Sequence, residues 1–152
     1  MPKTPSLPSQ PSWSVLLLLN RLSVGWYLAV TGWAKAQGEL ENGLGAFFKG
    51  DNYQNRVPEW LPEWLAAAHG YAVPWVELIF GVLLFIGLFT RTSAWVLFLL
   101  FISIAIAVLG QGELFPKHHI MVFLTISLLP ALYGSGRYGI DPYLPSRNKA
   151  RD

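Results

Sequence analysis

The sequence predicts an all-α integral membrane protein, a four-helix bundle with a short interfacial helix in its first outer loop. Three observations carry that expectation. Of 152 residues, 53% are hydrophobic and 13% are charged, against roughly 25% charged in an ordinary soluble domain. The apolar residues gather in four stretches long enough, or nearly so, to cross the bilayer, which takes about 20 residues of helix. Period-two alternation is absent, so a barrel of many short strands does not fit. Helices remain, because lipid offers the backbone no hydrogen bonds of its own.

In chain order, residues 1–12, MPKTPSLPSQPS, are rich in proline and serine and read as a flexible tail. The first span is expected over 13–34, interrupted by Asn20 and Arg21. Ala34-Lys35-Ala36 has the small-residue look of a signal cleavage site, but Trp26, Tyr27 and Trp33 are bulky for such a segment, so a retained span is expected. The outer loop, 35–71, contains PEWLPEWLAAAHG. Proline followed by an early glutamate signals a helix start, so a short helix is expected at 59–68. Trp60 and Trp64, at i and i+4, would sit at its interfacial boundary, either as plain packing or as a lid over a cavity.

Three further spans are expected at 72–89, 93–109 and 118–133, and a basic tail at 143–152. Trp13, Trp33, Trp75 and Tyr133 fall near span ends, where amphipathic rings prefer to sit. Orientation follows from Lys and Arg. Lys3, Arg91, Arg137, Arg147, Lys149 and Arg151 lie on the side of the termini, against Lys35, Lys49, Arg56 and Lys117 on the other. Both termini are therefore expected to be cytoplasmic, in a multi-pass protein of the cell (inner) membrane.

Cysteine is absent, which excludes disulfides, thiolate metal ligands and a cysteine nucleophile. Glycine-rich phosphate loops, nucleophile elbows and zinc spacings are absent as well. With a net charge of +2, lipid is the expected surroundings and nucleic acid is not an expected partner.

Ionisable groups inside spans cost several kcal/mol and are functional candidates by default. Arg21 and Glu77 qualify. Helical rise places them roughly 12 Å apart in depth, too far for a direct pair. Glu77 has better neighbours on the outer side in Lys35, His118 and His119, and a polar pocket is expected there with Glu77 as candidate proton acceptor. The alternative for Glu77 is a structural hydrogen bond between helices, and for Arg21 it is snorkelling to headgroups. Gly81, one turn after Glu77, would admit a close neighbour on the same face. His118 and His119 point about 100° apart on a helix and cannot share one metal; His69 reads as isolated in the loop, and no metal site is expected. In GSGRYGID, at 134–141, the glycines allow left-handed turns, and Arg137 and Asp141 are spaced to close the turn on themselves.

Taken together, these residues resemble the DoxX family of small four-helix membrane proteins. The first helix is similar in RLSVGWYLAVTGWAK (Arg21, Gly25, Gly32, Lys35), the second in ELIFGVLLFIGLFTR (Glu77, Gly81, Gly87, Thr90, Arg91), and the exit in Gly134, Gly136, Arg137 and Asp141. The long outer loop and Gly25-Trp26 look closest to the DoxD branch, the membrane subunit of thiosulfate:quinone oxidoreductase. The resemblance implies a quinone-linked redox role, with a partner subunit on the outer face and electrons from a sulfur donor. Without cysteine or a recognisable cofactor ligand set, this chain would bind quinone rather than relay electrons itself. Ligand-binding candidates are then Arg21, Lys35, His118, His119, Trp60 and Trp64. The wider family also includes proteins that resemble cargo receptors and membrane chaperones, so a non-enzymatic partner-binding role is the alternative.

Overall fold

Prolines and glycines decide where the long helices begin and end. The computed structural model describes the backbone of residues 11–109 and 118–141, and the side chains of 13–106 and 120–141. Most of the tail expected at 1–12 and all of that expected at 143–152 fall outside these described residues.

Helix α1 covers Pro11–Asn42, well past the expected end at residue 34. Ala36, Gln37, Glu39, Leu40 and Glu41 are good helix formers, and the helix stops only at Gly43, whose φ of 90° is left-handed. The loop that follows carries two single-turn helices, α2 (Ala46–Lys49) and α3 (Asp51–Gln54). Helix α4 runs from Glu63 to Ile86.

The short helix expected at 59–68 does not form as a unit. Pro58 and Pro62 drive Val57 and Leu61 out of the helical region, so residues 59–61 are turns and bends. Pro62 (φ −57°, ψ 136°) then opens α4, which absorbs the second PEWL copy and continues without a break into the expected span. Trp60 therefore lies in the turn and Trp64 in the first turn of α4.

Gly87, with φ of 76°, closes α4. Its N–H donates to the Leu83 and Leu84 carbonyls, and Leu88 N–H reaches back to Leu83 at 3.0 Å, the 6→1 bond of a Schellman ending. Helix α5 (Thr90–Leu109) starts three residues before the expected 93, and α6 (His118–Tyr133) ends where Gly134 turns left-handed. No strand is present among the described residues.

The four long helices form one bundle. Helices α1 and α4 run antiparallel and pack most extensively, α5 packs on both α4 and α6, and α6 returns to α1. Small residues set the α1–α4 spacing. A Cβ on Gly25 would lie 2.5 Å from the Phe85 nitrogen, and one on Gly81 would lie 2.7 Å from the Ala29 nitrogen. Such close backbone approach supplies the van der Waals contact that holds helices together in lipid. The shared core includes Val24, Leu28, Val73, Leu84, Leu97 and Phe101.

Large apolar side chains also cover the outside. Leu19, Trp26, Val30, Trp33, Ile79, Val82, Leu99 and Val122 are all exposed. A monomer in water does not present so continuous an apolar exterior, whereas hydrocarbon accepts it. Both α1 and α4 are long and apolar enough to cross a bilayer, and α5 and α6 are shorter apolar helices.

The end of the bundle that holds the start of α1 is closed by the chain's exit. Gly134 (φ 78°) and Gly136 (φ 65°) turn the chain into a 3-10 turn at Gly136–Tyr138. Ile140 and Asp141 N–H both donate to the Gly87 carbonyl at 3.0 Å, and the Asp141 carboxylate accepts from Thr90 N–H at 3.0 Å, capping α5. Asp141 thus turns to α5 instead of closing on Arg137, which is exposed.

Candidate functional site

Glycine at position 32 lets α4 come within backbone contact of α1 at Glu77 and Leu78. On either side of that glycine, Thr31 and Lys35 lie one turn apart and face the same carboxylate. Lys35 Nζ donates to both Glu77 oxygens, at 2.7 and 2.6 Å. The Glu77 side chain is 5% exposed and that of Lys35 29%. Thr31 Oγ1 is 3.4 Å from Glu77 but 3.0 Å from the Tyr27 carbonyl, so Lys35 is the main partner. Because α1 continues past residue 34, Lys35 sits within the helix rather than at its end. Its ammonium also lies 5.1 Å from the centre of the Phe47 ring, within cation–π range.

Phe47 is placed by a second buried carboxylate. Glu39, one turn beyond Lys35, accepts from the N–H groups of Gly45 and Phe47. This ties the start of α2 to α1, and Gly45 (φ 87°) makes room for Tyr71. Phe48, Tyr53 and Tyr71 pack around the same loop, with Gly70 as the gap that admits Phe48 and Tyr53.

Between this loop, α4 and α5 lies a cavity of about 320 Å³. Phe47, Leu61, Leu65, Val73, Ile104 and Ile106 supply apolar wall; Lys35, Asn52, Tyr53, Arg56, His69 and Ser103 supply polar wall. Trp60, 59% exposed, sits at its rim, whereas Trp64, 72% exposed, does not line it. Glu77 does not line it either, and reaches it only through Lys35.

His69 belongs to α4, not to a loop, and both ring nitrogens are engaged. Nδ1 is 2.9 Å from Tyr53 Oη and Nε2 is 3.0 Å from Ser103 Oγ. Tyr53 Oη is also 2.7 Å from the Ala66 carbonyl. Burial pushes the Tyr53 phenol above its ordinary pKa, which keeps it a neutral donor. The sequence marks none of Tyr53, His69 or Ser103, because their meeting depends on how the loop folds against α5.

The remaining candidates are dispersed. Arg21 is buried beneath the chain's exit, where Nη2 donates to the Tyr138 carbonyl at 3.2 Å and Asp141 supplies opposing charge. Its Nε and Nη1 have no hydrogen-bond partner among the described residues. From Arg21 to Lys35 is about 21 Å along α1 at ~1.5 Å per residue, so Arg21 and the cavity beside Lys35 are separate. It packs against Gly87 and Gly139. Arg91 is exposed and, with Thr90, Gly134, Gly136 and Asp141, lines an open groove at the same end of the bundle as Arg21. Gly81 admits α1 at Leu28 and Ala29. The side chains of His118 and His119 lie outside the described residues.

The DoxX family profile matches residues 16–110, and that of the TQO small subunit DoxD matches residues 70–152. The first match spans the helix pair that carries Lys35 and Glu77, and the second includes the exit over Gly87 and Thr90. No curated protein and no solved structure matches the chain. With a matching profile over more than half its length and an apolar helical bundle to go with it, the chain belongs to the DoxX family of membrane proteins, close to DoxD.

Proposed function

We propose that the chain is the membrane subunit of a quinone-linked oxidoreductase and that its outer cavity takes the quinone head group. One observation carries the reading. The cavity is apolar over most of its wall and gathers an ammonium, a guanidinium, an amide, a phenol, an imidazole and a hydroxyl on the rest. A flat ring with two carbonyl oxygens fits such walls, because apolar surface binds the ring while a few placed donors fix its orientation. A bound quinone supplies the capacity to accept two electrons and two protons.

The chain's own residues bind and orient. Lys35 donates toward a carbonyl oxygen, and Glu77 holds Lys35 in place from behind. Trp60, Leu65 and Ile106 are exposed apolar residues on the cavity wall, a rim suited to entry from lipid. Electrons would come from a sulfur donor handled by a partner subunit on the outer face. The excess of Lys and Arg on the side of the termini supports cytoplasmic ends in the inner membrane, with the cavity facing outward.

Protein purified in native lipid should retain quinone, and added quinol should raise its melting temperature. Ligand at a hundredfold its Kd stabilises by about 2.7 kcal/mol, a rise of about 5–10 °C for a chain of this size. Protein that neither retains quinone nor shifts would overturn the reading. It would favour the alternative of a partner-binding or cargo-receptor-like protein, which a pull-down from native membrane would then test.

A further inference from the structure

We infer that His69, held between Tyr53 and Ser103, is the residue that stores and passes the proton in this cavity. The inference rests on the quinone reading above and names the group that reading leaves open. Glu77 is poorly placed for the task, since its two oxygens are both occupied by Lys35 and it does not line the cavity. His69 does line it.

Tyr53 Oη has one proton and two acceptors within reach, the Ala66 carbonyl at 2.7 Å and His69 Nδ1 at 2.9 Å. Ser103 Oγ likewise has the Leu100 carbonyl at 2.6 Å and His69 Nε2 at 3.0 Å. When both hydroxyls donate to carbonyls, both ring nitrogens face lone pairs, and the ring carries two protons. When Tyr53 turns to Nδ1, the ring is neutral with its proton on Nε2. When Ser103 turns to Nε2 instead, the ring is neutral with its proton on Nδ1. Each state satisfies every group, because the two carbonyls keep their bonds within α4 and α5 throughout. The ring therefore gains, loses or shifts a proton through the rotation of one hydroxyl, with no buried group left unpaired.

Two-electron reduction of a quinone by the sulfur donor consumes two protons. His69 gives up one through Ser103: the Ser103 O–H bond breaks as an O–H bond forms on the ligand oxygen, and the His69 Nε2–H bond breaks as its proton returns to Ser103 Oγ. Solvent reached past Tyr53, which is half-buried on the outer loop, restores the ring and supplies the second by the same route. The charged and titratable groups facing this centre are Lys35 from α1, Tyr53 from α3, Arg56 from the loop and, behind Lys35, Glu77 on α4 itself. Only the imidazole ordinarily titrates between pH 5 and 8.

The test measures the affinity of a short-chain ubiquinone analogue for the protein in lipid nanodiscs from pH 5 to 9. Alongside it, ring-nitrogen NMR follows the imidazole of His69 in a His118→Gln/His119→Gln background. Wild type should bind with constant affinity at low pH and lose up to about tenfold per pH unit once the ring is neutral. His69→Gln should bind with little pH dependence, and Tyr53→Phe should displace the NMR titration without unfolding the chain. Analogue binding whose pH profile survives His69→Gln unchanged would overturn the inference. If His69→Gln fails to fold, Tyr53→Phe and Ser103→Ala decide: an unmoved titration in both overturns it. If wild type binds no analogue, the quinone reading falls on its own. The NMR then decides separately, because a ring fixed in one tautomer across the range contradicts proton storage and a titrating, Tyr53-sensitive ring supports it.

Discussion

Breaking the Lys35–Glu77 pair should cost different amounts from its two ends. Lys35→Met leaves a carboxylate that is 5% exposed, with only the 3.4 Å contact to Thr31 in place of two short ones. Orphaning a buried charge costs about 3–5 kcal/mol. Glu77→Gln leaves an ammonium whose side chain is 29% exposed, still close to the Phe47 ring and to an amide oxygen, so water and the ring recover part of the loss. About 1–3 kcal/mol is expected. Replacing both, as Lys35→Met/Glu77→Leu, leaves no orphan, and should return to within about 1 kcal/mol of wild type. Melting followed by circular dichroism in mild detergent reads these costs. At about 2–4 °C per kcal/mol, Lys35→Met should lower the midpoint by about 6–20 °C, with Glu77→Gln falling less and the double variant nearly restored. Equal, additive losses would show that the two charges do not depend on each other and would refute the reasoning.

Other expectations concern the frame around the site. Gly25→Val or Gly81→Val should separate α1 from α4 and lower the melting midpoint by more than 6 °C, since the added atoms meet backbone that cannot yield. Gly87→Ala should cost about 1–2 kcal/mol in the same assay, for its left-handed φ alone, and more because the Arg21 guanidinium occupies the space a Cβ would need. Asp141→Ala removes the cap on α5 and should cost about 0.5–2 kcal/mol, while Arg137→Ala, on an exposed residue, should cost little. The Tyr53 phenol has a raised pKa in the fold, so its stabilising contribution is complete below the unfolded value of about 10 and is lost as pH rises through the folded one. Alkaline melting curves should show that loss in wild type, and Tyr53→Phe should flatten it.

The sequence made the bundle legible because lipid solvation acts on whole segments. Four apolar runs, helix-spaced glycines and the absence of alternation are enough to predict an all-α membrane bundle. Helix ends are harder. Hydropathy falls at residue 34, yet helix propensity carries α1 on to Asn42. The PEWL repeat gave a helix-start signal at both copies, but paired prolines confine the first copy to a turn and only the second begins a helix. Glu77 stands out in the sequence as a lone charge within a span, and Lys35 as a neighbour of opposite sign at the end of the first expected span. His69, Tyr53 and Ser103 do not, since no local pattern records which loop residue folds over which helix. Arg21 stood out for the same reason as Glu77, but its place is under the exit of the chain, where two glycines leave room for it.

Quinone is expected in the cavity beside Lys35 and His69, and not in the groove beside Arg91. A photoreactive short-chain azidoquinone, irradiated with the protein in native-lipid nanodiscs and mapped by mass spectrometry, tests that expectation directly. Labelling is expected on peptides that contain Trp60, His69 or Ile104, with competition by unlabelled quinone and loss on Val73→Phe, which fills the cavity. Saturable labelling around Arg91 and Tyr133 instead, or labelling spread over lipid-facing residues without competition, would contradict the claim.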